Sequence, residues 1–338
     1  MTSHRIQPRR RSAQMQSQRR SALRACTLLL ALGGTAALAQ PTAYPDKPVK
    51  IVSVSSAGTG VDDFTRLVAK HLSQKTGQTF YVENKPGAST ALAADYVAKA
   101  PPDGYTLLLA AASTIAANPY MLKNLPYDPN RDLAPIARLS VIPVALVVPV
   151  SSPHQSLGEL MAAARAKPGV LNYGTSTAGY RAMTAAINGS FKVRAVDVPY
   201  KGSSMLTDLI SGTLDYALLE ISLVTPQVQG GKLRALAVSS PSRSATLPGV
   251  PTLAEVGGGD ATLTSWLGLL APAGTPQPII DKLSKLGLEF VASPEAKAHF
   301  DQRGTGPFSA DARAFGKAIL EDQAKWKHYI AAAGIQAE

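Results

Sequence analysis

Four short stretches of small and hydroxyl-bearing residues each lie between an extended apolar run and a helical one. They are 55–62 (SSAGTGVD), 86–90 (PGAST), 111–114 (AAST) and 174–179 (GTSTAG). Strand-to-helix turns of this composition expose backbone N–H groups at a helix N-terminus and set serine and threonine hydroxyls beside them. Several such turns converging on one cleft would hold a small carboxylate without any lysine or arginine. The candidate contacts are Ser55, Ala57, Gly58, Thr59, Gly60 and Asp62 from the first turn and Ser89 from the second. Ser113 and Thr114 come from the third, and Thr175, Ser176, Thr177 and Gly179 from the fourth. Each turn alone is ordinary turn chemistry, and Asp62 alone could be a helix cap; the argument rests on the four together.

The same residues argue against the usual enzyme sites. The first turn has two glycines of a dinucleotide fingerprint, Gly58 and Gly60, but Asp63 stands where the third is needed, and its charge would repel a pyrophosphate. Gly231-Lys232 and Gly316-Lys317 are followed by Leu233 and Ala318, so neither is a phosphate loop. The fourth turn misses Gly-x-Ser-x-Gly by one residue, which leaves no strained nucleophile elbow. His4, His71, His154, His299 and His328 are not paired at metal-ligand spacing. No catalytic residue, metal or cofactor is expected.

The first 39 residues hold seven arginines, no lysine and no acid, then an apolar stretch, ACTLLLALGGTAALA (25–39), ending in Ala37-Leu38-Ala39. That stretch is too short to span a bilayer, which takes about 20 apolar residues, and its small-residue ending suits a signal peptidase. Residues 1–39 are expected to be a signal peptide that sends a soluble protein to the periplasm. Arg19-Arg20 leaves the choice between the general and twin-arginine routes open. The whole chain carries 34 basic and 23 acidic residues, net +11; without the leader it is 27 against 23, net +4. The high charge is therefore mostly a targeting feature, and no nucleic-acid partner is expected. The single cysteine, Cys26, lies inside the leader, so disulfides, thiolate metal sites and cysteine nucleophiles drop out together.

The elements that must position the turns alternate. Extended runs read at 50–54, 79–83, 105–110, 144–150, 170–174, 214–220 and 233–240. Between them lie helical patterns, such as Phe64, Leu67, Val68, His71 and Leu72 on one face, and a capping box from Ser156 to Glu159. A last helix reads from about 309 to 334. Such alternation implies α/β architecture with mostly parallel sheets flanked by helices, and ligands outside the carboxyl ends of the strands. The chain is expected to cross between two lobes near 142–145 and again near 263–267. That spacing gives residues 40–143 to lobe 1, 144–264 to lobe 2, and 265–338 to a return into lobe 1 with the C-terminal helices.

An ordered set of longer stretches carries a resemblance. YPDKPVKIV (44–52), VENKPGA (82–88), PPDGYTLLLA (101–110), NPYMLKNLPYDPNRDLAPIA (118–137), VPYKGS (198–203), GKLRALAVSS (231–240), RSATLPGVPTLAEVG (243–257) and WLGLLAPAGTP (266–276) fall in sequence. Together they resemble the periplasmic receptors of tripartite tricarboxylate transporters, over residues 44–338. The resemblance implies a two-lobed Venus-flytrap fold of the periplasmic-binding-protein class II type. It also implies a monomer that captures a small organic acid ligand and delivers it to a membrane permease of one large and one small subunit, driven by an ion gradient. Members hold the ligand carboxylate with main-chain amides, hydroxyls and ordered waters. An exported binder that presents its ligand to a sensor or another partner is the alternative.

Two departures fall in the turns. Where such receptors usually read Pro-Gly-Gly-Gly-Thr-Asp, this chain has Ala57-Gly58-Thr59-Gly60-Val61-Asp62, and Ser89 and Thr90 replace two usual glycines. Tyr200, within VPYKGS, joins the candidate ligand residues. So does Glu220, at the end of the strand LDYALLE, where members commonly have an aspartate. An ionised carboxylate only accepts hydrogen bonds. Glu220 is expected to disfavour a second ligand carboxylate and to favour a monoacid or an acid bearing a hydroxyl, ammonium or amide donor.

Overall fold

The computed structural model describes residues 44–200, 204–240, 242–258, 264–332 and 334–337. The expected leader, 1–39, lies outside the described residues. Contacts set Met1–Tyr44 apart from a body, Pro45–Glu338, to which everything below refers.

The body opens with β1 (Val49–Ser53), α1 (Gly60–Thr76), β2 (Phe80–Asn84), α2 (Ala91–Ala98), β3 (Thr106–Ala111), a π-helical turn (Ser113–Ala117), α3 (Asn118–Met121) and β4 (Leu133–Ile142). It continues through β5 (Val144–Pro149), α4 (Leu157–Ala166), β6 (Asn172–Thr175), α5 (Ala178–Ser190), β7 (Val196–Pro199), α6 (Ser204–Ser211), β8 (Tyr216–Glu220), α7 (Ile221–Gln229) and β9 (Leu233–Val238). The last elements are β10 (Ser265–Pro272), α8 (Gln277–Val291), α9 (Pro294–Arg303), β11 (Gly306–Ala310) and α10 (Ala312–Ala332). One sheet has the order β11-β4-β10-β3-β1-β2 and the other β7-β6-β8-β5-β9.

Local sequence accounts for many of these boundaries. Thr59 caps α1 by accepting from the Asp62 N–H, and Gly77 closes it in the left-handed conformation at φ 73°. Phe64, Val68 and Leu72 form its buried face. The expected capping box of α4 is present: Ser156 accepts from the Glu159 N–H at 3.2 Å, and Glu159 accepts from the Gln155 N–H at 2.7 Å.

Both sheets are mixed rather than mostly parallel. β1 pairs in parallel with β2 and β3, and β6 with β7 and β8. β10 is antiparallel to β3 and β4, β11 to β4, and β5 to β8 and β9. The chain changes sheets where β4 runs through Pro143 straight into β5 without a helical crossover.

The C-terminal helix does not stay with the first sheet, where the sequence reading puts it. Phe315 and Ile319, in the first half of α10, join a core with Val52, Leu108 and Leu270 of that sheet. Trp326, Tyr329 and Ile330, in its second half, lie in the core of the second sheet with Leu146, Tyr173 and Tyr216. Between these ends Asp322 accepts a hydrogen bond from Trp266 Nε1 of β10 at 2.7 Å, with Arg138 Nη1 of β4 at 3.9 Å. Burial pushes the Asp322 carboxyl above its ordinary range, against the pull of Arg138 and Trp266. Gly268 of β10 has no room for a side chain, because a Cβ there would lie 2.3 Å from Phe315 Cζ.

Candidate ligand-binding cleft

All four small-residue turns arrive at one place. A cavity of about 220 Å³ lies between the two sheets, and each turn lines it with at least one residue: Ser55, Thr90, Ser113, and Thr177 with Gly179. Ile142 and Ser265, where the chain leaves and re-enters the first sheet, form part of its wall. Tyr180 and Met183 of α5, Glu220 and Trp326 complete the far side. Two wider surface grooves draw their linings only from elements around the first sheet.

The first turn is held from behind by Asp62. This residue is 2% exposed. It accepts from the Gly58 N–H at 2.9 Å, Arg66 Nε at 3.0 Å and Asn84 Nδ2 at 2.8 Å. The Asn84 amide also donates to the Ser55 carbonyl at 3.0 Å, so one side chain ties both ends of the turn. Burial alone would raise the Asp62 pKa, but the bonds from Arg66, Asn84 and Gly58 outweigh it and hold the carboxyl below its ordinary value. Asp62 is therefore neither the cap of α1, which is Thr59, nor a cavity-lining residue. Three protein donors converge on it, and the Gly58 amide is spent there. Ala57, Gly58 and Thr59 are exposed and do not line the cavity. Gly60 lines a smaller adjoining space of about 30 Å³.

The second and third turns are bonded to each other. Thr90 and Thr114 share a hydroxyl–hydroxyl bond of 2.8 Å, and Asn118 Nδ2 donates to the Ser89 carbonyl at 2.8 Å. Ala88, Ser89 and Thr90 all have positive φ, at 47°, 51° and 76°, so the chain keeps a glycine-like backbone without glycines there. Ser89 itself is exposed, and buried Thr114 supports Thr90 rather than the cavity. The Ser113 side chain lines the cavity and has no hydrogen-bond partner among the described residues.

In the fourth turn, Thr177 caps α5 by accepting from the Tyr180 N–H at 3.2 Å. Gly179 lies beside Ser113 and Trp326, where a Cβ would make ordinary contacts of 3.6 Å to Ser113 Cβ and 3.8 Å to the indole. Thr175 points inward and donates to Asp197 at 2.8 Å, while Ser176 is exposed. Tyr200 donates to Asp208 at 2.8 Å and does not line the cavity.

Glu220 lines both the cavity and the smaller adjoining space. Its Oε1 accepts from the Tyr180 hydroxyl at 2.9 Å. Burial, with the charge and hydrogen bond of Glu220, raises the Tyr180 pKa well above its ordinary value, so the phenol stays a neutral donor. Close by, the end of α9 meets the start of α7: a Cβ on Gly304 would lie 2.6 Å from Ile221 Cγ2. Beyond the apolar flanks of the turns, the sequence reading misses Thr90, Tyr180, Met183, Ile142, Ser265 and Trp326 as ligand residues. Thr90 lies inside the second turn, Tyr180 follows the fourth by one residue, and Ile142 and Ser265 fall at the expected lobe crossings, so these four carried a local signal. Met183 and Trp326 carry none, since tertiary packing alone brings them to the cleft.

Residues 64–335 match the family described as "Tripartite tricarboxylate transporter family receptor". The chain is 36% identical over 303 residues to a UPF0065 protein of Bordetella bronchiseptica, covering 88% of each chain. It is 29% identical over 315 residues to Protein BugT of Bordetella pertussis, covering 91% of this chain and 96% of that one. Among solved structures, R. palustris Rpa4515 with adipate superposes with a TM-score of 0.79 at 31% identity, over 87% of this chain and all (100%) of the other. MatC from Rhodopseudomonas palustris with bound malate gives 0.73 at 28% identity, over 85% of this chain and 100% of that one.

Proposed function

Since the chain belongs to the tripartite tricarboxylate transporter receptor family, a family of periplasmic solute-binding proteins and not of enzymes, we propose that it captures a small organic carboxylate in the cavity between its sheets. It then delivers that acid to an ion-driven membrane permease of one large and one small subunit. The protein is exported by its first 39 residues and works as a soluble monomer. Residues up to Pro143 and from Ser265 onward act as one lobe, with residues 144–264 as the other and α10 spanning both.

The observation that carries this reading is the convergence of Ser55, Thr90, Ser113 and Thr177 on one cavity, with the starts of α1 and α5 beside them. Hydroxyls and helix-start amides stabilise an anion without a cationic side chain. The bound acids of the two Rhodopseudomonas structures support the same ligand class.

The test is calorimetry of the leaderless protein against mono- and dicarboxylates, followed by small-angle scattering with the tightest binder. Binding should shift the lobes toward a closed population and reduce the radius of gyration. If no carboxylate binds, the reading fails.

A further inference from the structure

We propose that the cavity selects a monocarboxylate that also carries a protonated amine, with the ammonium seated on Glu220. This rests on the carboxylate reading above and names its ligand more narrowly. Of the described residues that line the cavity, Glu220 is the one acid, and none is a lysine or arginine. One ligand carboxylate can be held at the hydroxyl-bearing turns. A second would meet no cation and would face the Glu220 carboxylate.

The geometry at Glu220 leaves room for a donor. Oε1 already accepts from the Tyr180 hydroxyl at 2.9 Å, which fixes the carboxylate in the cavity wall. Among the described residues nothing donates to Oε2. The smaller space on the other side of Glu220 does not offer it a free cation. Arg303, which lines that space, is bonded to Asp63 at 2.6 Å. His299 is held below its ordinary pKa by burial and by Arg303, so it is neutral near pH 7. An ammonium brings both the donor and the opposite charge, and a charge-assisted bond is about twice as strong as a neutral one. Val54, Ile142, Met183 and Trp326 supply apolar surface for the carbon chain between the two ends.

The decisive experiment is calorimetry on the leaderless protein at pH 7 with four acids sharing one four-methylene chain: 5-aminopentanoate, 5-hydroxypentanoate, hexanoate and adipate. Shorter and longer sets of the same four end groups run alongside. In wild type the amine should bind about ten-fold or more tightly than its methyl counterpart, and the dicarboxylate most weakly. Glu220→Gln keeps a hydrogen-bonding side chain of the same shape, and its melting temperature reports on the fold. In that variant the amine's advantage should collapse and the dicarboxylate should gain. A wild-type protein that prefers adipate or hexanoate, or an unchanged ranking in a folded Glu220→Gln, overturns the amine assignment while leaving the carboxylate reading standing. If no acid of any length binds, both fall.

Discussion

Asp62 carries out, from behind the first turn, the positioning that a ligand contact would otherwise have to do. Its buried carboxylate gathers the Gly58 amide, Arg66 and Asn84. Asp62→Asn keeps the shape but loses an acceptor and the charge, and it should lower the unfolding free energy at pH 7 by about 1–3 kcal/mol. The sign with pH follows from the lowered pKa. The carboxylate's contribution is complete above its unfolded value of about 3.9 and is lost as pH falls through the folded value. Urea titrations at pH 7 and pH 3 should therefore show the two proteins converging in acid. An equal gap at both pH values would mean that the charge plays no part.

At the scale of elements, the turn from β2 into α2 stores backbone strain. Three consecutive non-glycine residues, Ala88, Ser89 and Thr90, are left-handed, a conformation that disfavours L-residues by roughly 1–2 kcal/mol each. The Ser89 side chain is exposed and only its carbonyl is used, by Asn118 and the Thr90 hydroxyl. Ser89→Gly should thus raise stability by about 1 kcal/mol, read from the denaturation midpoint; a loss would mean that the hydroxyl does something not visible in these bonds. This turn also marks what the sequence could and could not disclose. Small hydroxyl residues between an apolar run and a helical run are enough to find all four turns, because that junction chemistry is local. The pinning of Asp62 depends on Asn84, a partner 22 positions away, so from the sequence alone Asp62 reads as a ligand contact or a helix cap. The pattern of extended runs omits β4, β7, β10 and β11. β4 and β10 contain Arg138, Pro135 and Gly268, which break the apolar pattern, and those residues are explained only by the packing of α10 and Phe308 against them.

For the whole molecule, α10 makes the two sheets one object. Its first half completes one core, its second half completes the other, and Trp326 reaches the cavity from the seam. The chain has two tryptophans, and only Trp326 lines the cavity; Trp266 is fully buried beneath α10. Ligand binding should therefore change tryptophan emission, and Trp326→Phe should remove most of that change. Trp266→Phe should keep it while lowering stability by about 1–3 kcal/mol, because Asp322 then loses its indole donor. A ligand signal that survives Trp326→Phe undiminished would place the acid elsewhere.

The position of Trp326 also fixes when in a chain's life the site can exist. Every other lining residue lies at or before Ser265, and α10 follows all other described elements. As the polypeptide is made, the cavity lacks its last wall, and the second core lacks Trp326, Tyr329 and Ile330, until synthesis has passed them. A chain cut before Trp326 would lack both the last wall of the site and the closing residues of the second core, so ligand binding and stability should be lost together.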